Sequence, residues 1–86
     1  MKPHEQKLRE EHTPYTLVLT SGERVKVRSH DHLDIAPLED EDGNPLADAD
    51  RADLFRVWSD GQSYRWVAFN AITAIEARAP KNGGGS

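Results

Sequence analysis

The chain has 86 residues, no cysteine and a formal net charge of −4. A length of this order holds one domain and buries only about 60% of its unfolded surface, and the absence of thiols excludes disulfide staples and thiolate metal sites. No apolar run approaches the ~18 residues that span a bilayer, and the polar opening MKPHEQKLREEH does not read as a signal peptide, so a cytoplasmic location without membrane contact is expected.

Residues 3–12 read as a short helix. Pro3 suits a first helical position, and Glu5, Lys7, Arg9 and Glu10 are good helix formers; Leu8 is the clear core candidate. Tyr15–Thr20 and Glu23–Ser29 alternate apolar and polar residues, the period of a half-buried strand. Parity chooses the turn between them. A two-residue loop at Ser21-Gly22 sets Leu17 against Lys26 and Leu19 against Arg24, whereas a three-residue loop over Thr20-Ser21-Gly22 sets Leu17 against Val25 and Tyr15 against Val27. The second keeps apolar side chains on one face and puts Gly22 at the left-handed bulge position of such loops, so it is the register predicted.

His32–Ala36 is expected as a third strand, with Leu33 and Ile35 inward and Pro37 ending it. Residues 39–53, EDEDGNPLADADRAD, hold seven acids and one base, Arg51; the rest of the chain has eight acids and ten Lys or Arg. The acidity therefore sits in one segment (net −6), and the body is slightly basic (net +2). The segment is rich in turn residues and reads as a long loop inserted in the domain.

Leu54–Ser59 and Gln62–Phe69 form a second hairpin. With a two-residue turn at Asp60-Gly61, Val57 faces Tyr64 and Phe55 faces Trp66, and these four are the predicted heart of the core. A bulge or tight turn is expected near Asn70, followed by a last strand, Ala71–Ala77, offering Ile72 and Ile75 to the interior. The domain is placed at 1–80, with 81–86 as a flexible tail. Short strands in hairpin succession predict a mainly β fold: a small five-stranded, strongly bent antiparallel barrel behind a short N-terminal helix.

The same register puts Arg56 opposite Arg65, with Trp58 on their face. Arg56, Trp58 and Arg65 are thus the candidate nucleic-acid-binding residues: guanidinium groups hold phosphate and an indole stacks a base. The plainer reading is that acids of the 39–53 segment fold back onto these arginines. His30 and His32 project to one side of an extended strand, but a bare pair is more often polar surface than a metal site. Taking Gly43 as the sixth residue of a calcium loop puts Leu38 and Ala49 where acids are required, so that reading fails. Neither Ser21 nor Ser29 has a base partner visible in the sequence. No catalytic residue, metal or cofactor is assigned.

A short helix ahead of TPYTLVLTSGERVKVRSHDHLDI, and the closing FNAITAIEARAP, resemble the Sm-like barrels, most of all bacterial Hfq, over roughly residues 7–38 and 54–80. The resemblance implies an SH3-like or Sm-like barrel, ring assembly and RNA binding. Where that family carries a Lys-His pair before the final Ala-Ile, this chain has Phe69 and Asn70. The hairpin T-x-G-x-x-x-x-V-x (Thr20, Gly22, Val27) and the terminal ITAIE also resemble small bacterial barrel proteins without an assigned activity. The expected function is a non-enzymatic interaction module that binds a protein partner or itself; the alternative is weak Sm-like RNA binding through Arg56, Trp58 and Arg65.

Overall fold

A computed structural model describes residues 1–77 of the chain; the tail expected at 81–86 lies outside them. These residues form one helix, α1 (Glu5–Glu10), and six strands: β1 (Tyr15–Leu19), β2 (Arg24–Val27), β3 (Leu33–Asp34), β4 (Leu54–Trp58), β5 (Tyr64–Ala68) and β6 (Ile72–Ala77). The helix is shorter than predicted. His4 takes a left-handed φ of 66° and Glu11 is extended, so the helical run is pinned between them. Leu8 is fully buried, and the Tyr15 hydroxyl donates to its carbonyl at 2.6 Å.

The first hairpin has the parity-predicted register, with Leu17 opposite Val25 and Tyr15 opposite Val27. The Gly22 N–H donates to the Leu19 carbonyl at 2.8 Å, the Leu19 N–H donates to Glu23 at 2.9 Å, and Gly22 has φ 88°, a conformation open to glycine without cost. β1 also pairs antiparallel with β6, with a register shift between Val18 and Leu19. A 3-10 turn at Phe69–Ala71 supplies the tight turn expected near Asn70.

Six strands lie in two three-stranded sheets, β2-β1-β6 and β3-β4-β5. This overturns the expected five-stranded barrel, since among the described residues no ladder joins the two sheets and they do not close. The reason lies at His30–His32. These residues wind into a 3-10 turn capped by Ser29, whose hydroxyl accepts from the Asp31 N–H at 3.2 Å. The third strand is left with only Leu33 and Asp34, too short to carry the ladder around.

The second hairpin also departs from expectation. Its turn is a three-residue loop, Asp60-Gly61-Gln62, closed by the Ser59 N–H donating to the Ser63 carbonyl at 2.8 Å. The Asp60 carboxylate accepts from Gln62 (2.7 Å) and Ser63 (2.8 Å). These backbone donors hold its carboxyl below the ordinary aspartate range. One extra loop residue shifts the pairing by one, and a shift of one exchanges the faces of a strand. Phe55 now faces Val67 and Val57 faces Arg65. Phe55, Val57, Val67 and Phe69 are buried, while Tyr64 and Trp66 are 46% and 54% exposed. The predicted quartet of Phe55, Val57, Tyr64 and Trp66 is therefore split between the two faces. The rest of the core comes from Leu8, Tyr15, Leu17, Leu19, Val25, Val27 and Ile72, with Leu33, Ile35 and Ile75 packed against it.

The acidic segment is anchored at its end. A bridge joins Glu39 to Pro45, and the Asp40 carboxylate accepts from the N–H groups of Asp42 and Asn44, each at 2.9 Å. Arg51 turns inward and is 6% exposed. Its guanidinium donates to Glu5 Oε1 and Oε2 at 2.7 and 2.6 Å, and to the carbonyls of Ala36 and Pro37 at 2.9 and 3.0 Å.

Candidate functional site: an aromatic face centred on Arg56

Alternation along the second hairpin explains how its outer face is assembled. Because Ser59 and Ser63 form a bonded pair, the Phe55–Val67 and Val57–Arg65 pairs are bonded too. Arg56–Trp66 and Trp58–Tyr64 are then the non-bonded pairs, in which Cα atoms approach to about 4.5 Å and side chains press together. Trp58 and Tyr64 have ring centroids 4.8 Å apart, and Tyr64 and Trp66 meet edge to face at 6.0 Å. The Arg56 guanidinium lies 5.6, 5.2 and 5.6 Å from the rings of Trp58, Tyr64 and Trp66, inside the range of cation–π attraction. Its other partner is Asp34, its register neighbour on β3, with which it forms an ion pair. Leu54, 46% exposed, lies on the same face.

Two of the predicted site residues, Arg56 and Trp58, come together here. Arg65 does not: it faces inward beside Val57, and the expected Arg56–Arg65 pairing is replaced by Arg56–Trp66. Arg65 instead forms an ion pair with Glu23, its Nη2 donating at 2.9 Å, and this hydrogen bond lowers the Glu23 carboxyl below its usual range. The acids of the 39–53 segment meet neither arginine; the carboxylates come from Asp34 and Glu23. Arg24 is likewise paired, with Glu76.

Sequence reasoning missed Tyr64 and Trp66 as surface residues. The parity test applied to the first hairpin does not separate the alternatives here: a two-residue loop sends Tyr64 and Trp66 inward, a three-residue loop sends Val67 and Phe69 inward, and the polar Asp60-Gly61-Gln62-Ser63 run accommodates either length. His30 and His32 sit in the 3-10 turn, with the His30 ring edge-on to Tyr15 at 6.2 Å. Among the described residues no three His, Cys, Asp or Glu side chains are grouped to hold a metal ion, and no helix is long and apolar enough to cross a membrane. Searches with this chain match no family model, no curated protein and no solved structure.

Proposed function

We propose that this chain is a protein-binding module whose contact surface is the outer face of β3-β4-β5. The carrying observation is the aromatic cluster of exposed Tyr64 and Trp66 with half-buried Trp58, gathered around Arg56. Trp, Tyr and Arg are the residues that dominate binding energy at protein interfaces, where broad rigid rings are desolvated against a partner. Single exposed apolar residues are ordinary, but a contiguous aromatic patch on so small a domain is not.

The pairing of the arginines on and beside this face argues for a protein over RNA. Arg56, Arg65 and Arg24 each face a carboxylate, so their attraction for phosphate is largely cancelled. A photo-crosslinking residue in place of Leu54, at the rim of the face, tests the reading. It should yield a discrete protein adduct that unlabelled protein competes away. Trp66→Ala with Tyr64→Ala should weaken that competition about 30-fold or more, and gel shifts at low salt should show no complex with single-stranded RNA. Adducts indifferent to the two substitutions, or RNA binding that the same substitutions abolish, would overturn the proposal.

A further inference from the structure

The free side of β5 carries an unguarded row of backbone groups. β5 is the edge of its sheet, and its bonded partners across β4 are the odd-numbered residues, as the Ser59–Ser63 and Phe69–Asp53 hydrogen bonds set the alternation. The N–H and C=O of Tyr64, Trp66 and Ala68 consequently point away from the sheet, and none of them is used by another backbone or side-chain partner among the described residues. Exposed edges are commonly protected by lysine, proline or a bulge. The outward-bonding positions here hold Tyr, Trp and Ala. β2, the edge of the other sheet, contrasts with it, since its outward-bonding positions are Arg24 and Lys26.

The groove beside this edge is lined by basic side chains. Tyr64 and Arg65, at the start of β5, form one wall of a groove of about 310 Å³ whose other lining includes Arg24, Lys26, Arg28 and Val57. No carboxylate lines it. Glu76 and Glu23 compensate Arg24 and Arg65 from outside the groove, but among the described residues Lys26 and Arg28 have no carboxylate within 4.0 Å. The Nε of Arg65 is buried and unbonded.

We propose that β5 is a strand-addition edge, and that its occupant is an extended segment of another protein in which apolar side chains alternate with carboxylates. The proposal rests on the protein-binding reading of the aromatic face and names the form of the partner. Main-chain bonding to Tyr64, Trp66 and Ala68 supplies affinity, as in other strand-addition complexes. Cross-strand pairing supplies the side-chain pattern. Residues of the added strand on the outer face lie beside Tyr64 and Trp66, where apolar groups are favoured. Residues on the inner face lie over the groove of Lys26 and Arg28, where carboxylates are favoured.

The test uses two fluorescein-labelled peptides, one alternating valine with glutamate and one alternating valine with lysine, added to the full chain and followed by anisotropy. The glutamate peptide should bind at least about tenfold more tightly, with affinity falling as salt rises, and should slow amide hydrogen exchange at Tyr64, Trp66 and Ala68. Ala68→Pro removes an outward N–H at a residue whose φ of −84° suits proline, so the fold should hold and the glutamate peptide should be lost. Lys26→Glu, on the other strand, should weaken it without touching the β5 backbone. Equal binding of the two peptides, unchanged exchange at the three amides, or indifference to both substitutions overturns the proposal. So does a light-scattering mass above one chain that Ala68→Pro returns to one chain, because a second copy would then supply the strand. A partner that crosslinks through the Leu54 position equally well in Ala68→Pro would remove strand addition and leave the protein-binding face standing.

Discussion

Arg51 is the residue whose role differs most from its surroundings in the sequence. It is the lone base among seven acids, yet its side chain is buried against Glu5, which is itself fully buried. Burying two charges costs several kcal/mol per ion unless hydrogen bonds replace water. Here they do: Glu5 accepts from Arg51 twice, from Arg9 Nε at 2.9 Å and from the Lys2 backbone at 3.0 Å. Removing Arg51 takes away two of these four hydrogen bonds and leaves the buried carboxylate to Arg9 and one backbone N–H. Arg51→Met should therefore lower stability by about 3–5 kcal/mol, read from urea midpoints. Adding Glu5→Leu to the same protein should recover most of that loss, because the double variant leaves no buried charge. Nothing in the sequence pointed to this contact, since it spans 46 positions and no periodicity links a helix to a loop.

At the scale of elements, the two hairpins show what a pattern of alternation can and cannot decide. Both turned out to have three-residue loops. In the first, the shorter loop would have set Leu17 and Leu19 against Lys26 and Arg24, so burial alone fixed the register. In the second, Tyr64 and Trp66 are as apolar as Val67 and Phe69, and either face could have been the inner one; the decision lay in the Asp60 carboxylate binding two backbone N–H groups, a local contact that alternation does not encode. The glycines report the same difference. Gly22 has φ 88°, whereas Gly61 is not left-handed, and neither would place a new Cβ within 4 Å of another atom. Gly22→Ala should cost about 1–2 kcal/mol from backbone strain alone, while Gly61→Ala should be neutral or slightly stabilising. Thermal melts of the two variants separate these outcomes. The candidate site was thus half legible: Arg56 and Trp58 were found because alternation along β4 puts them on its outer face in either register, and Tyr64 and Trp66 were hidden by the one-residue shift.

For the whole molecule, strand content, most of the core and the first sheet's hairpin could be read in advance, because each follows from local alternation. The closure of the sheets could not. It depended on whether residues 30–32 stayed extended, and Ser29 capping a 3-10 turn settled that against the barrel. The buried Glu5 carboxyl makes a distinct contribution to the acid response of the molecule. Burial pushes the Glu5 carboxyl up, but hydrogen bonds from Arg51, Arg9 and the Lys2 backbone outweigh it and bring it from an ordinary 4.5 to about 2. A carboxyl lowered by folding contributes stability that is complete above its unfolded value and disappears as pH falls through its folded value. Unfolding free energy should therefore decline between about pH 4.5 and pH 2, by roughly 3 kcal/mol from this group. The Arg51→Met, Glu5→Leu protein should lack that part of the decline in urea titrations run across the same range.

The Arg51 guanidinium also touches the carbonyls of Ala36 and Pro37, which stand just ahead of the acidic excursion that Arg51 itself terminates. One side chain thereby fastens entry and exit of the loop at a single point, like the neck of a purse. Apart from Asp48, which pairs with the N-terminal amine and lies 3.8 Å from Arg51, what lies between can drift in length and charge through mutation while the core beneath keeps its packing.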